Sequence, residues 1–582
     1  MFIRSKVRKK DGKTHRYFSV VENVRLRNGR VVQRQLLSLG EINDSQRAAW
    51  GRSIEVLEES SKSRQVALFA EDREAPEMEC EVVQIRINEL SLHDPRQWGA
   101  CWLALVLWDR LELDQFWGPR LPPNRKGTRW LDILKVQVCY RLIDPGSDWR
   151  LHRQWYEHSA LRDLLGTGRV ISSDRLYRCL DRLVEHKKDF FSFLRNRWAT
   201  LFDERFEVLL YDLTSTYFES DPPFGDKRQF GYSRDKRSDC VQVVIALIVT
   251  PTGFPLAYEV MPGNTSDNTT LAGFLEKIGQ QYGRSDRVWI MDRGIPTEEV
   301  LQTMRQGEAP VRYLVGTPKG RLTALEQSFI AKPWQEVRQH VEVKLLDRDG
   351  EVYVLVRSEH RVSKERSMRR RRLKKCWRRL HELQRQSNRR DALLLKLGAA
   401  KKEAGRAWNL VEVRVPGTEE EFAKNGFTFR LRRNRLRRLR RREGRYLLRS
   451  NLTSEDPATL WKYYMQLSEI EQAFRELKQD LAIRPVFHQR EDRIEAHIFV
   501  SFIAYCLQVT CKNLARPRAP GLTPRAILEK FATLQMVDVH LPTTDGRRLI
   551  LPRHTQPNAD HQLLLHQLNL ELPKQPPPRI PA

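Results

Sequence analysis

Three acidic residues stand where a divalent cation could be held. Asp212 follows the apolar run Val208–Tyr211, Asp292 follows the apolar run Val288–Met291, and Glu471 lies within a long helical pattern. A carboxylate at the end of a buried strand is a poor choice for packing, whereas carboxylate oxygens are ligands that divalent cations prefer. We therefore expect the three acids to converge on one metal-dependent site.

Each of these acids also has an ordinary explanation. A single Asp after a strand usually serves as a turn or cap residue, and Glu471 could form a surface ion pair with Arg475 one turn later. Such a pair contributes only a few tenths of a kcal/mol. The order strand-Asp, strand-Asp, helix-Glu, in a chain with a strongly basic segment, favours the metal site.

The helix that carries Glu471 is predicted to begin at Asp456 and Pro457, because Asp caps a helix and Pro suits its first position. Apolar residues recur there at steps of three and four, which marks the buried face, and Glu471 falls in that seam. Tyr464, Glu471 and Lys478 are spaced by seven residues, so they are expected to stack along one side of the helix.

The charge of the chain is unevenly distributed. Its 582 residues include 102 Lys and Arg against 74 Asp and Glu, a net charge of +28. Residues 361–450 alone hold 31 basic and 9 acidic residues, a net charge of +22. This concentration favours a polyanionic partner, DNA or RNA before a membrane.

Other features exclude some classes of protein. The eight cysteines form no Cys-x-x-Cys pair and no zinc-ligand spacing with histidine, so reduced and mostly buried thiols are expected. The basic N-terminus is not followed by an apolar stretch, and the longest apolar runs fall short of the roughly 20 residues that cross a bilayer. We expect a cytoplasmic, nucleoid-associated protein with no membrane partner.

Two regions precede the acidic residues. Residues 1–45 contain strand-like pieces at 16–21 and 31–39 and are predicted to form a small basic β module. This module could touch DNA, or it could serve as a dimerisation or capping sheet. Residues 46–200 are mainly helical by periodicity and could bind DNA ends, although their aromatic residues are more typical of a helical core.

The first two acids belong to a different pattern, at 201–320. Strands are predicted at 206–211, 241–249 and 255–261, then a helix at about 269–281, a strand at 288–291, a helix from about 297 and a strand at 312–316. This order indicates an α/β fold, a mixed sheet covered by helices, and it matches an RNase H-like core up to its fifth strand.

The core pattern is then interrupted by a basic insertion at 321–455. It contains β-like stretches at 341–357, a helix-prone stretch at 363–404, and Phe427–Leu431, expected to pair with Tyr446–Ser450 across an Arg-rich connection. Residues 456–516 should complete the core with the helix of Glu471. Residues 517–582 are expected to be a partly disordered tail ending in the Pro-rich Pro573–Ala582.

At this point the chain resembles the DDE insertion-sequence transposases of bacteria, in the cut-and-paste branch with a Tyr-x2-Arg-x3-Glu-x6-Lys signature. Tyr464, Glu471 and Lys478 reproduce three of its four positions, and Leu467 stands in place of the Arg. The resemblance covers about 205–510. It includes Tyr-Asp-Leu-Thr-Ser-Thr at 211–216, Gly-Tyr-Ser-Arg-Asp-Lys-Arg at 231–237, Pro-Gly-Asn-Thr-Ser-Asp at 262–267, Met-Asp-Arg-Gly at 291–294, Tyr-Leu-Val-Gly-Thr-Pro-Lys-Gly at 313–320, and Arg-Pro-Val-Phe-His at 484–488.

The resemblance implies phosphoryl transfer on DNA with two Mg²⁺ (or Mn²⁺) ions held by Asp212, Asp292 and Glu471. Tyr464 and Lys478 would position a phosphate, and a neighbour such as Arg475 could replace the missing Arg. The partners would be double-stranded terminal inverted repeats and target DNA, bound by a homodimer or higher oligomer. The basic segment suggests a further set of DNA-binding residues: Arg437, Arg438, Arg440 and Arg441.

Two other functions remain open. A structure-specific nuclease on the same core would need the same acids but would stop at hydrolysis, whereas a transposase joins a 3′ end to new DNA. A non-catalytic DNA-binding descendant of a transposase could lose the acids, and all three are present.

Overall fold

The computed structural model supports a description of most of the chain. The residues described are 1–10, 13–25, 30–51, 54, 84–125, 127–167, 170–219, 227–283, 287–306, 310–317, 325, 327–386, 389–417, 422 and 426–579.

The N-terminal module is a three-stranded antiparallel sheet of β1 (Phe2–Lys10), β2 (Lys13–Arg25) and β3 (Val31–Gly40). It is anchored because Phe18 and Val20 of β2 are buried in the main hydrophobic core. The three strands lie within the β module predicted at 1–45, and they are one strand more than the pattern indicated.

A helical region follows the short strand β4 (Ser91–Gln97). Its main helices are Gly99–Arg110, Leu113–Arg120, Trp130–Ile143, Leu161–Leu165, Ser173–Leu180 and Lys187–Phe202. The aromatic residues expected to form a helical core do so, since Trp98, Trp108 and Trp117 are fully buried.

The predicted RNase H-like region is built on five strands of one sheet: β5 (Val208–Tyr217), β6 (Gln242–Val249), β7 (Pro255–Pro262), β8 (Val288–Met291) and β9 (Arg312–Thr317). They lie in the order β7-β6-β5-β8-β9. The first three are antiparallel, whereas β8 is parallel to both β5 and β9. This is the RNase H-like arrangement that the sequence predicted.

Helices cover this sheet. Leu271–Tyr282 and Glu298–Gln306 connect its strands, and Glu491–Ala515 passes through the main core. By length and composition Glu491–Ala515 could span a membrane, but 94% of its most apolar stretch is buried inside the protein. A helix whose apolar residues are already covered by protein is the pattern of a core helix.

The insertion extends the same sheet. Strands β10 (Gln335–Arg338), β11 (Val341–Arg348), β12 (Glu351–Ser358) and β15 (Arg445–Ser450) continue it beyond β9 in the order β10-β11-β12-β15-β9. The basic helix-prone stretch forms two helices, Glu359–Arg385 and Arg390–Ala404, which pack together through their own small hydrophobic cluster.

One predicted pairing in the insertion is wrong. Strand β14 (Thr428–Leu431) pairs with β13 (Val411–Arg414), whereas β15 pairs with β12 and β9. The Arg-rich connection between β14 and β15 forms the helix Arg433–Arg442 and thus does not act as a hairpin turn. The buried Leu447 and Leu448 of β15 explain the pairing, because they need the covered centre of the large sheet.

The C-terminal region also differs from expectation. Instead of a partly disordered tail, it contains the helices Pro524–Phe531 and Ala559–Leu568 and the strands β16 (Gln535–Pro542) and β17 (Arg548–His554). Strand β16 pairs with β4, more than 400 residues earlier in the chain. A single-sequence pattern has no means of revealing so distant a partner.

Candidate active site

Asp212 and Asp292 lie side by side at one edge of the parallel part of the sheet. Strands β5 and β8 are in parallel register up to the pair Tyr211 and Met291, so the next residue on each strand is the acid. Asp292 ends its strand as predicted. Asp212 does not, because β5 continues to Tyr217 and Asp212 faces Leu247 of β6 in the antiparallel ladder.

The surroundings of Asp212 disfavour its charged form. Burial is the main reason that its pKa is raised from 3.8 to about 7, and the negative charge of Asp292 raises it further. The Leu213 N–H, which donates to Asp212 Oδ1 at 2.8 Å, and the positive charge of Arg234 act in the opposite direction. A carboxylate held in this way gains from a nearby cation.

Asp292 is exposed, and its Oδ1 accepts a hydrogen bond of 2.7 Å from the Arg293 N–H. Gly316 of β9 lies directly beside it. A Cβ atom at position 316 would be 3.3 Å from Asp292 Oδ1 and 3.0 Å from the hydroxyl oxygen of Tyr464. Glycine at this position therefore lets the sheet, the carboxylate and the tyrosine hydroxyl approach one another closely.

Tyr464 is therefore placed next to the acidic pair. Its pKa is raised to about 12, chiefly by burial and then by the negative charge of Asp292, so its hydroxyl keeps its proton. The ring stacks on Tyr446 of β15 with ring centroids 5.7 Å apart. A protonated phenol at this point can donate a hydrogen bond to an anion.

The helix of Glu471 starts as predicted but is not continuous. Asp456 caps it by accepting from the Ala458 and Thr459 N–H groups at 2.8 and 3.2 Å. The first segment runs from Pro457 to Met465. A second segment begins at Leu467 and ends at Arg475. A π-helical turn follows at Glu476–Asp480.

Glu471 does not lie in the buried seam in which the spacing placed it. The break at Gln466 separates Glu471 from the helical segment of Tyr464, and the π-helical turn that follows Arg475 changes the position of Lys478, so residues seven apart no longer form a straight line. The buried face of the segment comprises Leu467, Ile470, Ala473 and Phe474. Glu471 is exposed, and in the described part of the chain no ion pair joins it to Arg475, which is also exposed.

Lys478 points to an acid outside the predicted trio. Its ammonium forms a 2.9 Å ion pair with Asp235, whose side chain is only 8% exposed, and Arg484 also contacts Asp235. Burial lowers the pKa of Lys478, and Asp235 offsets this effect. The predicted phosphate contact of Lys478 therefore competes with an existing partner.

The loop that carries Asp235 is the part of the site that sequence reasoning missed. Its neighbour Arg234 forms an ion pair with Asp267 and lies close enough for its charge to act on Asp212. Both residues belong to the segments 231–237 and 262–267, and Gly316 belongs to 313–320. All three segments resemble the family in sequence. That resemblance is the signal that points to these residues, although it assigns them no role.

The acids fit a divalent cation in their chemistry, although they are not gathered into one cluster. Asp212 and Asp292 supply hard oxygen donors, and the raised pKa of Asp212 reflects a negative charge without sufficient compensation. Within the described residues, no three His, Cys, Asp or Glu side chains converge closely enough to hold a metal ion. The role of Glu471 as a metal ligand therefore stays a prediction.

A basic cleft of about 1270 Å³ opens beside the site, between the insertion and the helix Pro457–Met465. Tyr446 and Trp461 form part of its wall, and Trp461 donates a hydrogen bond of 3.0 Å to the Tyr446 hydroxyl. Tyr446 also stacks on Tyr464, so the wall of the cleft is joined to the acidic pair through one pair of tyrosine rings. Arginines that line it include Arg338, Arg361, Arg369, Arg406, Arg438 and Arg442.

The four arginines predicted to bind DNA lie on the helix Arg433–Arg442, and all four are exposed. Arg438 lines the cleft. Leu436 is the buried residue that attaches this helix to the rest of the protein. The helix therefore presents most of its charge to solvent, as a surface for phosphates would require.

Comparison with known families accounts for this combination of core and insertion. The family model for a transposase DDE domain matches residues 203–507, which is more than half of the chain, and that for the IS1634 family transposase N-terminal domain matches residues 3–72. The chain belongs to the DDE transposases of insertion sequences. Transposases act on DNA, so DNA is the partner that this family assignment supports.

Other comparisons add little to this assignment. No curated protein matches the transposase. The cryo-EM structure of piggyBac transposase in a synaptic complex with hairpin DNA is similar at 9% identity and a TM-score of 0.36, over 74% of this chain and 79% of that chain. A similarity at that level carries no residue assignment.

Proposed function

We propose that the transposase cuts DNA at the ends of its insertion sequence and joins the freed 3′ ends to target DNA. The observation that carries the proposal is the placement of Asp212 and Asp292 side by side, each one residue after the last parallel pair of β5 and β8. These two acids, completed by Glu471, would hold two Mg²⁺ or Mn²⁺ ions. Bound there, the ions would supply Lewis-acid activation of the attacking oxygen and stabilise the leaving oxygen.

The surrounding residues would orient the DNA for in-line displacement. The protonated Tyr464 hydroxyl beside Asp292 can donate to a phosphate oxygen, and Arg234 supplies a positive charge near Asp212. Lys478 can add a point charge if the DNA phosphate displaces Asp235 from it. No residue of the chain needs to act as a covalent nucleophile.

The test is to replace each acid separately, as Asp212→Asn, Asp292→Asn and Glu471→Gln. Each variant should lose Mg²⁺-dependent cleavage of a duplex that carries the terminal repeat, while DNA binding is retained. Glu469→Gln is the matched control, because Glu469 lies on the same helix segment but is paired with Lys512 at 2.8 Å. A variant that cuts at close to the parent rate would remove that residue from the site.

A structure-specific nuclease is the alternative that shares these acids. The two functions are separated by incubating a pre-cleaved duplex end with a plasmid target, because only a transposase joins the 3′-hydroxyl to it. Joining of two ends would require at least a dimer on DNA. A protein that cuts but never joins would be a nuclease.

The basic cleft and the helix Arg433–Arg442 would hold the DNA that enters the site. If arginines there neutralise phosphates, the affinity for DNA should fall steeply with salt, with a slope of about 0.9 per phosphate. The set Arg437, Arg438, Arg440 and Arg441 replaced by Ala should flatten this slope. An equal number of exposed arginines in the C-terminal region provides the control: Arg516, Arg518, Arg547 and Arg548. Equal slopes for both sets would place the DNA elsewhere.

A further inference from the structure

The N-terminal sheet has a two-stranded part that extends beyond its third strand. Strand β3 ends at Gly40, which pairs with Phe18 of β2. From Tyr17 back to Lys13, β2 therefore pairs only with β1, opposite residues Lys6 to Lys10. This part is a hairpin ribbon, and no further strand among the described residues covers either of its outer edges.

The two faces of this ribbon differ. Side chains alternate along a strand, so the register places Lys6 and Arg8 of β1 on one face together with Tyr17 and His15 of β2. Arg4 lies on the same side just beyond the ribbon, in the three-stranded part, where it donates a hydrogen bond of 2.7 Å to Gln33 of β3. We call these five residues the ribbon face. Its three cations are exposed, and His15 stacks on Tyr17 with ring centroids 6.2 Å apart.

The opposite face holds the sheet to the protein. Phe18 and Val20 lie on it and are buried in the main core, whereas Val7 and Arg16, nearer the hairpin end, are exposed. In the ribbon itself Lys6, Arg8 and Tyr17 are exposed and His15 is half-buried, so the ribbon face is open to solvent. Strand β2 also contacts the basic helix Glu359–Arg385, so the N-terminal sheet adjoins the insertion.

The dimensions and chemistry of the ribbon suit one feature of DNA. The nine residues of β1 span about 30 Å, and the major groove of B-DNA, about 12 Å wide, admits a two-stranded β-ribbon. Arginine reads guanine there by donating to its O6 and N7 atoms, whereas lysine can serve either a base or a phosphate. Charges on a strand edge can also serve to prevent aggregation. That role would not require cations and aromatic rings to share one face.

We propose that the ribbon face enters the major groove of the terminal DNA of the element and reads guanine through Arg4 and Arg8. The inference rests on the proposed function in that the DNA is the element's own end. It assigns sequence recognition to the N-terminal hairpin and leaves phosphate binding to the insertion.

The experiment measures binding without chemistry, in EDTA, to a 30-base-pair duplex of the terminal repeat that flanks the coding frame and to a scrambled duplex of equal composition. Arg4→Ala and Arg8→Ala should each weaken binding to the repeat roughly 5- to 150-fold, the value of one bidentate guanine contact. Binding to the scrambled duplex should weaken much less. Arg16→Ala, on the opposite face of the same hairpin, is the matched control and should weaken both duplexes alike.

Methylation of guanine N7 provides a second readout, because that atom lies in the major groove. Specific guanines should block binding of the parent when methylated, and this interference should disappear in Arg4→Ala or Arg8→Ala. The proposal is overturned if the parent does not prefer the repeat, if no guanine interferes, or if Arg16→Ala matches the other variants. A change in oligomeric state without loss of specificity would instead identify the face as a contact between chains.

Cleavage in Mg²⁺ separates this inference from the proposed function. If the parent cleaves and joins the repeat while the ribbon variants keep their sequence preference, the ribbon proposal fails alone. If the parent never cleaves but Arg8→Ala loses the preference, the catalytic proposal fails and the ribbon proposal stands.

Discussion

The most direct test of the acidic pair is to neutralise Asp212. Because its pKa is raised to about 7, chiefly by burial and secondarily by Asp292, its charged form destabilises the folded protein when no cation is bound. Asp212→Asn removes this charge. The amide oxygen can still accept from the Leu213 N–H, so the backbone should be undisturbed. We expect the variant to be more stable than the parent in EDTA at pH 8.

The raised pKa of Asp212 determines how much stability Asp212→Asn should gain and how that gain depends on pH. A change from 3.8 to about 7 corresponds to a ceiling of about 4 kcal/mol, and partial exposure of Asp212 reduces the expected gain to roughly 1–2 kcal/mol. The folded protein binds the extra proton between these two pKa values. The parent therefore loses stability as the pH rises from about 4 to about 7, and the advantage of the variant grows over that window and is constant above it.

The measurement is urea unfolding of parent and variant at pH 5 and pH 8, in EDTA and in excess Mg²⁺. Since a cation that binds only the folded state stabilises it, Mg²⁺ should raise the midpoint of the parent at pH 8 and have little effect on Asp212→Asn. Asp391→Asn is the control, because the side chain of Asp391 is 91% exposed. Identical pH profiles, or equal stabilisation by Mg²⁺, would refute the reasoning.

Three further substitutions test the surroundings of the site. Asp235→Asn should destabilise the protein by about 3 kcal/mol in urea unfolding, because it leaves Lys478 without its buried counter-charge. Asp239→Asn in the same loop, where the side chain is 66% exposed, is the control and should leave the unfolding midpoint unchanged. Gly316→Ala should lower the cleavage rate at least about tenfold, since its Cβ would press on the Tyr464 hydroxyl, while costing only about 1–3 kcal/mol of stability. Equal cleavage rates would show that the close approach of Gly316 and Tyr464 is unimportant. Leu467→Arg should lower the midpoint of thermal unfolding and weaken end binding, and a gain in binding would contradict its burial.

The sequence predicted the core well because its signals are local. Asp292 follows a short, fully buried run, and the alternation of strands and helices from β5 to β9 is regular enough to specify the RNase H-like order. The cap at Asp456 is likewise a local signal, and the structure confirms it.

The errors arise where geometry depends on distant parts of the chain. The seven-residue spacing of Tyr464, Glu471 and Lys478 assumes one straight helix, and neither the break at Gln466 nor the π-helical turn has a Pro or Gly to announce it. The partner of Lys478 lies 243 residues away, and only the fold brings it close. Such pairs cannot be found by periodicity.

Leu467 shows how the site can differ from the family signature and still carry positive charge. The side chain is 9% exposed and belongs to the main core, so an arginine there would bury its guanidinium among apolar groups. The signature contact therefore cannot come from this helix position in the present fold. Arg234 is better placed than the exposed Arg475, because its charge already acts on Asp212 and its loop borders the pair. Since Arg234 is held by Asp267, a phosphate arriving at Asp212 would meet a cation that is oriented before DNA binds.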